Sequence, residues 1–235
     1  MSFICSLDSL TTFASSGNLT QVDHANVAVS NGMTSLGIKA TNGVVIATKK
    51  AAPSILVDET STSKIALASK SIGMTYAGVG PDFRVLCDKG RKEVQKYWLE
   101  YKDQMPVSQF VRELAQVAQE YTQSGGVRPF GCALLVAGYD DQGPQLYQVD
   151  PSGSYWAWRA SAIGRNDKSA RSFLEKRYDP KMEIEDAIHT AILTLKEDFE
   201  GAMSESTIEV GVIRADREFK VLTPQEVANY ISEAQ

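Results

Sequence analysis

The sequence has 235 residues, 43% hydrophobic and 23% charged, and a formal net charge of −5. A chain of this length and balance can bury most of its apolar surface, which excludes a disordered or fibrous polymer. Its Lys and Arg residues are scattered among acids, which argues against a nucleic-acid backbone as partner.

The run from Met1 to Leu10 has neither the basic leader nor the apolar core of a signal peptide. No stretch approaches the roughly 18 apolar residues that cross a bilayer. Cys5, Cys87 and Cys132 form an odd set without metal-type spacing. The expectation is a reduced, intracellular protein with no membrane, metal or cofactor.

Residues 34–39 and 44–48 read as two strands around Thr41-Asn42-Gly43, a hairpin signal because Asn and Gly tolerate positive φ. A second antiparallel pair is expected at 64–68 and 72–77, joined by Ser69-Lys70-Ser71. Two helices follow. The first runs from Pro81 to Tyr101; the second starts behind Pro106, carries Val107, Phe110, Val111, Leu114, Val117, Ala118 and Tyr121 on one stripe, and stops at Gly125-Gly126. Strands return at 130–137, 145–149 and 154–160, then helices at 168–178 and 182–199. Strands at 208–213 and 218–222 precede a last helix capped by Thr223 and Glu226. Hairpins and paired helices in this order predict an α+β four-layer αββα sandwich, two antiparallel sheets between helical layers. No linker, repeat or low-complexity tract breaks the chain, so residues 1–235 are expected to form one domain.

Most candidate chemistry has a simpler explanation. Gly78-Val79-Gly80 follows a strand, but Phe83 stands where a dinucleotide-binding turn needs its third glycine. His189 lies beside the Ile188 stripe and suits a hydrogen-bonded structural histidine better than a base. Glu183, Glu185 and Asp186 open a helix, where acids complement the dipole. Ser152 sits in a turn without a nucleophile elbow around it. What survives is the first hairpin, which looks like the opening strands of N-terminal nucleophile hydrolases, whose nucleophile becomes residue one after cleavage.

Over nearly its whole length the chain resembles proteasome alpha-type subunits. The resemblance rests on Thr11-Thr12-Phe13, the runs 19–22, 34–48 and 76–86, and Tyr-Thr-Gln-Ser-Gly-Gly-Val-Arg-Pro-Phe-Gly over 121–131. Asp-Pro-Ser-Gly-Ser-Tyr over 150–155, Ala-Ile-Gly over 162–164, and the runs 173–178 and 185–197 continue it. It implies the N-terminal nucleophile hydrolase fold and a place in a seven-membered outer ring of the 20S core particle. The implied partners are other alpha subunits, the beta ring and activator particles, in the cytoplasm and nucleus.

In the catalytic beta-type relatives the nucleophilic threonine lies four residues before the glycine matching Gly37. Here that position is Met33, so no catalytic residue is expected. The alternative is a threonine hydrolase exposed by cleavage before Thr34. The resemblance further divides the chain into a gate tail at 1–12, an alpha-type helix at 19–30, the sandwich at 34–222 and a C-terminal helix at 223–235. It assigns Lys64, with Gly32, to a pocket between subunits that receives the C-terminal carboxylate of an activator, for which an ammonium is a fitting partner; the alternative is a solvated lysine at a strand end. Ser6 and Leu7 (in Ser6-Leu7-Asp8), Ser15 and His24 fall where the family's gate carries a tyrosine-led triplet, a proline and a second tyrosine. Without the proline's preset turn and the two phenols, a weak contribution to the ordered open gate is expected.

Overall fold

The computed structural model describes residues 12–50, 56–58, 61–197 and 203–233. Its chain order opens with α1 (Thr20–Ser30), β1 (Ser35–Lys39), β2 (Gly43–Lys49), β3 (Ile65–Ser69) and β4 (Ile72–Gly78). Helices α2 (Gly80–Tyr101) and α3 (Val107–Gln123) follow, then β5 (Cys132–Asp140), β6 (Gly143–Val149), β7 (Tyr155–Ala157) and β8 (Ala160–Ile163). The rest is α4 (Asp167–Arg177), α5 (Ile184–Glu197), β9 (Ile208–Arg214), β10 (Phe219–Val221) and α6 (Pro224–Glu233).

Two five-stranded sheets result, ordered β10-β9-β2-β1-β8 and β3-β4-β5-β6-β7, and every pairing in them is antiparallel. Leu36, Ile38, Val45 and Ala47 of the first sheet pack on Ile188, Ala191, Ile192 and Leu195 of α5. Met74, Leu134 and Val136 of the second pack on Phe110, Val111 and Leu114 of α3. Between the sheets lie Val44, Ile46, Leu146, Ile213 and Phe219. The molecule is a four-layer αββα sandwich. Its inner strands bury both faces, which explains why they run apolar instead of alternating.

Gly37 faces the other sheet, where an added Cβ would stand 2.7 Å from Leu146 Cδ1. Thr223 and Glu226 form a reciprocal cap on α6: Thr223 N donates to Glu226 Oε2 at 2.7 Å, and Glu226 N to Thr223 Oγ1 at 3.4 Å.

Two local expectations are corrected. The strand expected over 154–160 is two strands in different sheets: β7 pairs with β6, and β8 with β1. The chain changes sheet at Trp158 and Arg159, where Trp158 N donates to Leu146 O and Arg159 O accepts from Lys39 N. Neither Asn42 nor Gly43 adopts a positive φ. Their constraint is tertiary: Asn42 Oδ1 accepts from Ile184 N at the start of α5, and a Cβ on Gly43 would lie 2.3 Å from Ile213 O.

Candidate functional site

The open end of the sandwich is where β1 begins, and α1 closes it. Val22, Ala25 and Val29 face inward, while Val27 is 59% exposed, which is why the apolar spacing of this helix is faint in the sequence. Val29 packs among Ala77, Ala133 and Leu135 of one sheet and Ile163 of the other, so it wedges between them. The helix ends against backbone. A Cβ on Gly32 would fall 2.1 Å from Gly78 N, and Gly32 O accepts from Arg165 N at 2.9 Å. Glycine is therefore required at 32 for close approach of two main chains.

A second clip holds the adjoining loops. Asp82, in the first turn of α2, accepts from Arg128 Nη1 at 2.7 Å, Arg128 Nη2 at 2.9 Å and Gly131 N at 2.8 Å. Burial alone would raise the Asp82 carboxyl. The Arg128 and Gly131 hydrogen bonds and the Arg128 charge outweigh it and hold the group below the usual carboxylate range. Gly78 takes a φ of +112° here, and a Cβ on it would stand 2.2 Å from Gly131 O. Phe130 stacks on Tyr121 with ring centroids 4.4 Å apart. The Gly-Val-Gly-Pro-Asp-Phe turn is thus a structural joint bonded to the Arg-Pro-Phe-Gly turn. Behind it lies Cys132, whose thiol is pushed by burial up to about 12, leaving no thiolate at neutral pH.

Between α1 and these clips lies a polar cluster around Lys64. Its Nζ donates to Thr48 Oγ1 at 2.8 Å, with Lys49 O at 3.3 Å and Met33 O and Ser35 Oγ at 3.4 Å. Ser35 and Thr48 hydroxyls lie 2.6 Å apart, and Ser35 Oγ donates to Tyr76 O at 2.7 Å. The Tyr76 ring centroid is 5.1 Å from Nζ. Glu209 is the adjacent carboxylate, but its oxygens are engaged by other donors: Oε2 accepts from Lys64 N at 2.7 Å and Ile65 N at 3.2 Å, and Oε1 from Ser63 Oγ at 2.8 Å. Desolvation lowers the Lys64 ammonium to about 7, with the Glu209 charge acting weakly the other way. Beside Lys64 runs a groove of about 600 Å³, lined by Ser63, Ile65, Tyr76, Pro81, Arg84 and Arg91 among others.

Among the residues singled out from the sequence, Lys64 and the Gly32-Met33 segment meet at this end, bridged by the Met33 carbonyl. Met33 presents a main-chain oxygen to the lysine. Thr34 is buried, and its carbonyl accepts from Lys49 N at 3.0 Å. Ser15 and His24 are exposed and take no part in the cluster; Ser6 and Leu7 lie outside the described residues, as does the gate tail through residue 11. His189 sits 3.3 Å from Glu233 Oε2 and edge-on to Tyr230, a helix-to-helix contact between α5 and α6. Sequence reasoning missed Ser35, Thr48, Tyr76, Glu209 and the Asp82–Arg128 pair. Strand register is the signal that could have found Glu209, which sits opposite Thr48.

Residues 29–213 match the proteasome subunit family. The chain belongs to the proteasome subunit family. Proteasome subunit alpha type-2 of Oryza sativa subsp. japonica is 63% identical over 227 residues, 97% of this chain and 97% of that protein. Proteasome subunit alpha type-2-A of Arabidopsis thaliana is likewise 63% identical over 97% of both chains. The alpha type-2 subunit of Trypanosoma brucei brucei is 51% identical over 95% of this chain and 96% of its own. Several of the runs quoted above are worded most like eukaryotic alpha type-2, and these relatives carry that name.

Proposed function

We propose that this chain is a non-catalytic, ring-building subunit of the outer alpha ring of the proteasome core particle, and that Lys64 anchors the C-terminal carboxylate of an activator. The alpha type-2 relatives support the first part over nearly the full chain. The cluster around Lys64 supports the second. A half-buried ammonium is held by neutral oxygens, beside a groove carrying Arg84 and Arg91, and the nearby Glu209 carboxylate is engaged by the Lys64 and Ile65 amides and the Ser63 hydroxyl. A carboxylate entering here supplies the counter-charge that the fold withholds.

The same geometry disfavours a threonine hydrolase exposed before Thr34. Cleavage there would strip away α1, whose Val22, Ala25 and Val29 are buried, Val29 against both sheets, and would break the Gly32–Gly78 approach and the Met33 contact with Lys64. The partners of this reading are neighbouring alpha subunits in a seven-membered ring, the beta ring and an activator. Its gate contribution is weak: the turn at Ala14–Asn18 closes through main-chain bonds and Gly17 at a φ of +83°, without a proline, and Ser15 and His24 supply no phenol.

The test is binding of a labelled peptide whose only charge is its free C-terminal carboxylate to purified core particles. Lys64→Met is expected to remove one class of site, about a tenfold or greater loss there. The amide-terminated peptide is expected to ignore the substitution. Equal binding by wild-type and Lys64→Met particles would refute the assignment.

A further inference from the structure

Each sheet has two outer strands, and register decides which of their main-chain groups look outward. On β3 these belong to Ile65 and Leu67. Ile65 N donates to Glu209 Oε2 at 3.2 Å, Ile65 O accepts from Ser63 Oγ at 2.8 Å, and Leu67 O accepts from Arg91 Nε at 2.8 Å. On β8 the outward Ala162 O accepts from Arg171 Nε at 2.9 Å, and on β10 Phe219 N donates to Lys70 O at 2.7 Å. Neighbouring parts of the chain thus bond three of the four edges, a protection against stray strand pairing.

The fourth edge, β7, is different. Asp150 N donates to Ser154 O at 3.0 Å and Trp158 N to Leu146 O at 2.8 Å. These bonds set the alternation for the register Tyr147↔Ala157, Gln148↔Trp156 and Val149↔Tyr155. Trp156 therefore turns its main chain to β6, while Tyr155 and Ala157 turn theirs away. Among the described residues, nothing bonds the outward N–H and C=O groups of those two. All three residues are exposed, Tyr155 and Trp156 with their rings on opposite faces of the strand. The strand is also held in place. Asp150 Oδ1 accepts from Ser152 N at 3.0 Å and Ser154 N at 3.2 Å, and Gly153, at a φ of +84°, lets the turn lie against α3, where a Cβ would stand 2.6 Å from Ala115 O.

We propose that β7 is a docking edge, along which a neighbouring alpha subunit lays an extended main-chain segment over Tyr155–Ala157. The inference rests on the reading of this chain as a ring subunit. Tyr155 and Ala157 present donor and acceptor at the two-residue repeat of a strand, and the complement of that pattern is another extended backbone. Tyr155 on one face and Trp156 on the other flank the added segment, so apolar or aromatic side chains suit it. A ring joins unlike surfaces of successive chains, so the incoming segment is not a second β7.

The test is residue-resolved amide exchange on intact core particles confirmed to contain this chain. The Trp156 amide, bonded to β6, is the internal reference. Tyr155 and Ala157 are expected to exchange at least about a hundredfold more slowly than unstructured amides. Exchange of both at the unstructured rate, with Trp156 protected, overturns the docking edge and leaves the ring reading standing. Ala157→Pro deletes one outward donor at a place where no bond within the chain uses it. Expressed beside the wild type at equal level, it is expected to enter particles about fivefold less, the worth of one hydrogen bond. Equal entry overturns the proposal. A benzophenone amino acid in place of Trp156 identifies the occupant. A cross-link to a neighbouring alpha subunit supports the proposal; a cross-link to β7 of a second copy, or to no other chain, overturns it. Absence of this chain from core particles removes both the inference and the reading beneath it.

Discussion

At the residue scale, single groups divide into those that bind chain to chain and those left for a partner. Asp82 is of the first kind: three donors converge on its two oxygens and fix the start of α2 to the segment before β5. Because Arg128 is 59% exposed on its side chain, the pair is not a fully buried one, and Asp82→Asn is expected to cost about 1–3 kcal/mol in denaturant unfolding of the chain. The folded-state carboxyl titrates below the unfolded one. Its stabilisation is therefore complete above the unfolded value near pH 4 and disappears as pH falls through the folded value, so the gap between wild type and Asp82→Asn narrows in acid. A gap that widens in acid would contradict this.

On the proposed reading Lys64 is of the second kind, and the sequence reveals only half of it. Ser63-Lys64-Ile65 identifies the lysine through family resemblance, yet periodicity places it merely at a strand end. Its chemistry depends on Thr48, Ser35, Met33 and Glu209, which lie 16, 29, 31 and 145 positions away. Side chains that converge from such distances leave no mark in local spacing.

At the element scale, hairpins and long amphipathic helices were readable because their own faces carry the pattern. Of the α3 stripe, Val107, Phe110, Val111, Leu114 and Ala118 are buried as the spacing implies, while Val117 and Tyr121 at its edges are half-buried. The sheet change at Trp158 and Arg159 was not readable, since Tyr155, Trp156 and Ala157 are all exposed and give no alternation to break. Helix α1 was hidden for a related reason. It buries small residues, Val22, Ala25 and Val29, in a narrow wedge, and leaves Val27 in solvent.

The small contact implies a modest hold on this helix. Val29→Ala, which removes two methyl groups from the Ala77, Ala133, Leu135 and Ile163 contact, is expected to cost about 1–3 kcal/mol. Amide exchange should speed up over Thr20–Ser30 well before it does over α5, whose inward face includes five fully covered aliphatic residues, Ala187, Ile188, Ala191, Ile192 and Leu195. Equal acceleration in both helices would show that α1 is not an independent plug.

At the scale of the whole molecule, the sandwich is one whose open end has been closed from within. The α1 wedge, the Gly32 contact with Gly78 and the Met33 carbonyl on Lys64 together occupy the place where an N-terminal nucleophile would need free space. A subunit built this way contributes surfaces to an assembly and leaves cleavage to other chains. The most direct test is the intact mass of this chain in endogenous core particles after exposure to an electrophile selective for N-terminal hydroxyl nucleophiles. The expected result is a chain within the large assembly that keeps the residues before Thr34 and carries no adduct. A chain that begins at Thr34 and bears the electrophile would contradict the account.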